Sequence, residues 1–234
     1  MKPQKSDARK IVSINPATLK PVGEVPVVPH EAVQEIVQKG REAFPRWRDL
    51  GLKKRSRILR GVQQALLERN EDVATWITLE MGRPFVESLT LEVEAGVDLI
   101  GYYAGKSRRF LRDRGIPLHN PFFWRRKSYV HHQPLGVLGV IAPWNWPLLI
   151  PLGGIVPALL SGNTVVFKPS ELTPLVGQKI GELFWEAGVP EAALQVIQGI
   201  GRVGEALVDS DVEKIFLREA TKSGSASCRG RFCP

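Results

Sequence analysis

The sequence predicts an α/β fold in which amphipathic helices lead into a parallel sheet built from βαβ units. Three observations carry this prediction. Apolar residues recur at helical spacing through the first part of the chain, and short apolar, β-branched runs alternate with helical stretches from residue 137 onward. The composition of the 234 residues, 43% hydrophobic, 24% charged and 8% aromatic with mean hydropathy −0.09, is that of a globular chain able to bury a core. It excludes collagen-like, disulfide-knot and fully disordered classes. Cys228 and Cys233 sit together near the end, so no disulfide framework supports the fold and a reducing compartment fits. Residues 1–15 are basic and polar with no apolar run, which argues against a secretory leader and leads us to expect a cytoplasmic protein.

Taken in order, Val33, Ile36, Val37, Phe44 and Trp47 fall on one helical stripe over residues 31–47. Ile58, Leu59, Val62, Leu66 and Leu67 make a second, and Val86, Leu89, Val93, Val97 and Ile100 a third. Residues 106–127 then hold eight basic side chains and one acid, Asp113, among Phe110, Phe122, Phe123 and Trp124. With 32 Lys+Arg against 24 Asp+Glu, the net charge of +8 admits an anionic ligand, a nucleic acid or an acidic surface as partner. Basic residues interleaved with aromatics suit a nucleic-acid surface. Gly115, Pro117, Asn120 and Pro121 interrupt the stretch and no recognised motif organises it, which favours a solvated hairpin or a subunit contact.

Residues 133–167 carry no Asp, Glu, Lys or Arg, long enough to span a bilayer. Pro134, Pro143, Pro147, Pro151 and Pro157, with Gly153, Gly154 and Gly162, cut the segment into pieces too short for a lipid-facing helix. The reading is a buried strand at 137–141, a loop at 142–146, a helix from about Pro147 to Leu160, a turn at Gly162-Asn163 and a second strand at 164–167. A loop at 169–174, a helix over 175–187 closed by Gly188 as C-cap and a third strand at 193–197 complete the βαβ pattern. In such sheets ligands sit beyond the carboxyl ends of the strands.

Three strand-end segments hold candidate chemistry. Asn145, between Trp144 and Trp146, follows the first buried strand, where its amide can donate to a developing oxyanion. Lys168, Ser170 and Glu171 end the second, a cation, a hydroxyl and a carboxylate suited to a ribose and its phosphates, or equally a loop whose Ser170 or Glu171 caps the next helix. Gly199, Gly201 and Gly204 match G-x-G-x-x-G, which marks a phosphate site or a plain turn. The acid at the usual offset is Glu219. No metal site is expected.

PLGVLGVIAPWNWP at 134–147, PALLSGNTVVFKPSELTP at 157–174, EAGVP at 186–190 and EMGRP at 80–84 resemble the aldehyde dehydrogenase superfamily in motif, order and spacing, over roughly Ile11 to Phe216. The resemblance implies a Rossmann-type parallel sheet with N-terminal helices (1–110), a bridging, oligomer-forming hairpin (111–133) and a βαβ nucleotide-binding core (134–216). It implies that Asn145 donates to the aldehyde oxygen and the oxyanion, that Ile141 and Trp144 line the cofactor cleft, and that Lys168 and Glu171, with Ser170 beside them, bind the adenosine ribose. Gly201 and Gly204 would border the pyrophosphate. NAD is the implied cofactor, because a 2′-phosphate would sit against Glu171, with NADP also in use in the family. An aldehyde substrate and a homo-oligomer are implied for the full-length family, with neither membrane nor nucleic acid as partner.

In that family a cysteine thiolate attacks the aldehyde, hydride passes to the dinucleotide, and a glutamate-activated water releases the acid. Both residues lie downstream of a Phe-Thr-Gly-Ser strand end, in a catalytic domain that this chain is expected to lack. After Phe216 the sequence reads Leu217-Arg218-Glu219-Ala220. Written CTA CGG GAA GCG and read from the last base of the first codon, these residues become Thr-Gly-Ser, and permitted codons continue with the family's pattern. We therefore expect 217–234 to be an out-of-frame tail with Cys228 and Cys233 incidental, and the chain to be a truncated cofactor-binding part without aldehyde oxidation of its own. The alternative function is a basic nucleic-acid-binding module using 106–127.

Overall fold

The computed structural model of the chain describes residues 10–119, 122 and 125–218. An antiparallel pair, β1 (Lys10–Ile14) and β2 (Pro21–Pro26), precedes α1 (Val33–Asp49), α2 (Gly51–Glu68) and α3 (Asn70–Met81). Then come α4 (Phe85–Glu87), a π-helical segment (Ser88–Glu94) and α5 (Ala95–Leu111), with no break between them. A second antiparallel pair, β3 (Arg114–Ile116) and β4 (Ser128–Val130), leads to β5 (Val137–Ile141), α6 (Leu149–Leu160), β6 (Thr164–Lys168), α7 (Pro174–Glu186), β7 (Leu194–Val196), α8 (Gly201–Asp209) and β8 (Lys214–Leu217).

β5 to β8 form one parallel sheet in the order β7-β6-β5-β8. Their side chains alternate between two apolar layers, as the two-residue period of a strand requires. Val140, Val165 and Phe167 face a core shared with α2, α3, α5, α6 and α7, which includes Leu59, Leu66, Ile77, Ile100, Leu152 and Leu159. Val137, Ile141 and Val166 face a smaller cluster with Val33 and Val37 of α1 and Val203 and Leu207 of α8. All five residues of β6 are buried, which is why its centre, Val165 to Phe167, is apolar on both faces rather than alternating.

Three buried groups tie this framework together by their hydrogen bonds. Trp47 Nε1 donates to Leu159 O at 3.1 Å. Arg55 is buried and among the described residues forms no ion pair: Nε donates to Leu160 O at 3.1 Å and Nη1 to Arg48 O at 2.6 Å, so its charge rests against carbonyls at the ends of α6 and α1. Burial alone holds its pKa below the ordinary value. The Gly162-Asn163 turn is tied to the start of β5, since Asn163 Oδ1 accepts the N–H groups of Leu135 and Gly136 while Nδ2 donates to Ala158 O.

The three helical stripes and three strands read from the sequence are present, with shifted bounds. Leu67 and Val86 lie on the expected stripes but are exposed. The third helix continues to Leu111, so the start of the basic stretch is helical, and among the described residues the hairpin strands are Arg114–Ile116 and Ser128–Val130. The helix after β5 begins at Leu149 rather than Pro147. β1, β2, α3 and α8 are elements that the sequence reading did not contain, and β8 entered it only as the strand end implied by the resemblance. Gly188 has φ +98 after α7, in the C-capping position expected of it. Among the described residues no helix is long and apolar enough to cross a membrane.

Candidate functional site

The carboxyl ends of β5 and β6 lie side by side. Ile141 is in register with Lys168, and Ala142 N donates to Lys168 O at 3.2 Å. On the other flank Ile141 is in register with Leu217, and Arg218 N donates to Ile141 O at 3.3 Å. The loops 142–148 and 169–173 therefore leave the sheet from one edge, as parallel strands demand. The Lys168 side chain is only 6% exposed, and its Nζ meets Glu171 Oε2 at 3.1 Å, while the Glu171 side chain is 43% exposed. The pair thus joins a buried cation to a carboxylate open to solvent. A Cβ on Gly204 would stand 3.9 Å from Lys168 Cδ, so the lysine stem runs beside the first turn of α8.

The three helices that follow these strands begin differently. At α6, Glu92 Oε2 accepts the N–H groups of Leu148 (2.9 Å) and Leu149 (3.2 Å). At α7, Glu80 accepts Leu175 N on Oε1 (3.0 Å) and Val176 N on Oε2 (2.8 Å). Both helix starts are therefore occupied by carboxylates sent in from the α3–α5 region. α8 has no side-chain cap and no acid in its first turn, and a Cβ on Gly201 would meet nothing within 4 Å. Its amide-rich start faces open space, which suits an anionic ligand group.

In the 168–171 segment the helix-capping role falls to another residue. Glu80, not Ser170 or Glu171, caps the helix that follows. Ser170 Oγ instead accepts Leu172 N at 3.3 Å within its own loop, and Ser170 is buried. Asn145 and Trp144 are exposed on the loop beyond β5. Arg83 Nη2 donates to Asn145 O at 2.7 Å, and the Arg83 guanidinium lies 4.7 Å from the Trp146 ring centroid. Ile141, Lys168, Glu171, Gly201 and Gly204 thus converge at one sheet edge, whereas among the described residues no hydrogen bond or ion pair joins the Asn145 side chain to the Lys168–Glu171 pair. Glu219, Cys228 and Cys233 lie outside the described residues.

Arg83, Glu80 and Glu92 are the polar residues of this region to which the sequence reading gave no role. Their signal was present: Glu80 continues the Val73–Ile77 spacing and Glu92 the Leu89–Val93 spacing, so both acids occupy positions where the helical stripe turns inward. Burial pushes the Glu80 carboxyl above its ordinary value of 4.5, against the pull of the Val176 and Leu175 amides. The folded chain then keeps a proton that the unfolded chain has released, so this group's contribution to stability falls as pH rises from 4.5 through the raised pKa, and is constant outside that window. Urea midpoints measured across pH should show a shallower decline in Glu80→Gln than in the native chain; equal slopes would remove Glu80 as a source.

A cavity of about 890 Å³ lies elsewhere, between α1, α7 and the segment entering β7, where Trp47 and Trp185 line it. A cleft of about 420 Å³ is lined by Arg109, Phe110, Arg112, Arg114, Val130 and His132, where α5 meets the hairpin.

With this geometry in hand, comparison with known proteins is informative. Residues 3–226 match the aldehyde dehydrogenase family, to a point ten residues beyond Phe216. PnpE from Pseudomonas sp. WBC-3 is similar in structure with TM-score 0.87 and 31% identity, over 94% of this chain and 45% of that one. An aldehyde dehydrogenase from Bacillus cereus, solved as its NAD+ complex, gives 0.88 and 29% over 94% and 45%. The glyceraldehyde-3-phosphate dehydrogenase GapN from Methanocaldococcus jannaschii, complexed with NADP, gives 0.88 and 25% over 95% and 49%. The chain spans less than half the length of each of these structures.

Proposed function

The chain belongs to the aldehyde dehydrogenase family, and from that premise we propose that it is the cofactor-binding part of an NAD(P)-dependent enzyme that oxidises an aldehyde to a carboxylate. One observation carries the reading: the Lys168–Glu171 pair stands beside Gly204 at the uncapped start of α8. Lys168 and Glu171 hold the adenosine ribose hydroxyls, with Ser170 shaping their loop. The half-exposed Glu171 carboxylate repels a 2′-phosphate, so NAD is preferred over NADP. Gly201 and Gly204 leave the α8 amides open to the pyrophosphate. Ile141 and Trp144 line the cleft between these groups.

Bound dinucleotide supplies a hydride acceptor. Asn145 donates its side-chain N–H to the aldehyde oxygen and gains most as that oxygen becomes an oxyanion. The thiolate nucleophile and the base belong to sequence that this chain does not match, so the chain alone oxidises no aldehyde. We divide it into an N-terminal helical part (1–110), an oligomerising hairpin (111–133), a nucleotide-binding core (134–216) and an out-of-frame tail (217–234) in a cytoplasmic protein. β8 includes Leu217 and the family match reaches residue 226, so the proposed frame slip is best tested at the gene, where codons incompatible with the shifted reading would contradict it.

NADH titrated into the purified chain should bind saturably, and Lys168→Ala should weaken binding about tenfold, the loss of one charge-assisted contact. Aldehyde with NAD should yield no NADH. Equal affinities of the native chain and Lys168→Ala would overturn the site, and turnover would overturn the division of labour. The second reading, a nucleic-acid surface, draws support from the arginine-lined cleft beside the hairpin; it requires salt-sensitive retention on a polyanion.

A further inference from the structure

Asn145 sits on the loop between β5 and α6, whose ends, Ala142 and Leu148, are buried in the core while Trp144 and Asn145 are exposed. Arg83 and Glu92, which come from outside the βαβ units, contact three residues of this loop and the first residue of α6. Arg83 Nη2 bonds Asn145 O, its guanidinium stacks on Trp146, and its Nη1 donates to Glu92 Oε1 at 2.8 Å. Glu92 Oε2 accepts the amides of Leu148 and Leu149. The Glu92 side chain is fully buried and that of Arg83 is 14% exposed, so neither group is a solvated surface charge whose partners exchange with water.

Two backbone features aim the pair. Gly82, φ +71, ends α3 in the left-handed conformation, and its missing Cβ leaves room for Pro16 Cγ, 2.8 Å from where that atom would lie. The chain turns there and sends Arg83 toward the loop. Glu92 stands in the seven-residue π-helical segment, whose wider turn rotates it relative to a regular helix. Such insertions are costly in isolation and are found mostly where a side chain must be re-aimed.

We propose that Arg83 and Glu92 are positioning residues that fix the Asn145 backbone, and through it the direction in which the Asn145 amide is presented to an aldehyde oxygen. The inference rests on the oxyanion role given to Asn145 above. Arg83 does the orienting, because its planar fork serves Glu92 and Asn145 O at once; Glu92 holds that fork and anchors the start of α6. A lysine at 83 keeps the ion pair but offers a point charge in place of two directed N–H groups.

The test uses the full chain with three variants, Arg83→Lys, Arg83→Met and Glu92→Gln, and reads backbone order parameters, Trp fluorescence and the thermal midpoint together. In Arg83→Lys, order parameters at residues 144–146 should fall from the rigid range of about 0.85 to below about 0.6 and indole emission should change, while those of β5 and β6 stay rigid and the midpoint stays near that of the native chain. Arg83→Met and Glu92→Gln should extend the loosening to Leu148 and Leu149. Native order parameters at 144–146 in Arg83→Lys would overturn the proposal, as would a fall shared evenly by the whole chain, which marks a purely structural role. NADH titration of the same samples separates the two claims. Saturable NADH binding with an unmoved loop defeats the positioning role alone; a loosened loop without NADH binding by the native chain defeats the cofactor reading and leaves the clamp standing.

Discussion

Replacing Glu92 by alanine should destabilise the chain by about 3–5 kcal/mol, because it breaks a buried ion pair from one side. Three hydrogen bonds end on this carboxylate, one from Arg83 and two from the first amides of α6. The Arg83 charge would remain largely enclosed without its counter-ion. The two amides have no substitute nearby, since α6 starts with Leu148, Leu149 and Ile150 and has no side-chain cap of its own. An unsatisfied buried amide costs about 1–3 kcal/mol, which is the same order as the ion-pair loss and falls on the same substitution. Urea denaturation of Glu92→Ala against the native chain measures it. A change below about 1 kcal/mol would mean that water replaces the carboxylate freely, contrary to its burial.

Gly177→Ala should lower stability by about 1–3 kcal/mol and also disturb the loop after β6, to which we assign the ribose, although it adds a single methyl group. The position is helical, where alanine is ordinarily better than glycine by about 1 kcal/mol, so propensity argues in the opposite direction. Packing decides the sign. A Cβ at 177 would overlap two carbons of the Pro169 ring, which has no rotamer to escape into. Pro169 directly follows Lys168, and moving its ring moves the backbone that presents Lys168 and Glu171. Weaker NADH binding together with a lower urea midpoint is the expected pair of results; a stabilised variant would show that the loop gives way at no cost.

The parts of this molecule that were legible in its sequence are those where one physical cause dominates. β5 and β6 announce themselves as short apolar runs because both faces are covered, and α7 is bracketed by Pro174 and Gly188. Lys168, Glu171 and Asn145 stood out because they follow such runs. β1 and β2 were missed because they contribute little to the core beyond Ile11 and Val25. α3 was missed because its buried stripe, Val73, Ala74 and Ile77, ends on the charged Glu80, which blurs the apolar pattern. The capping roles of Glu80 and Glu92 depend on tertiary contacts with residues 95 and 56 positions away, which no local pattern encodes. The same holds for the difference between α6, α7 and α8 at their first turns, the feature that singles out α8 as open.

The central claim is that the ends of β5 and β6 and the start of α8 form one dinucleotide pocket, and residue-by-residue amide resonances followed during an NADH titration test it most directly. The account expects Ile141, Trp144, residues 168–171 and residues 201–204 to shift together and to saturate at a single ligand concentration. Shifts confined to one of these segments, or gathered instead around Trp47 and Trp185 in the cavity beside β7, would contradict it.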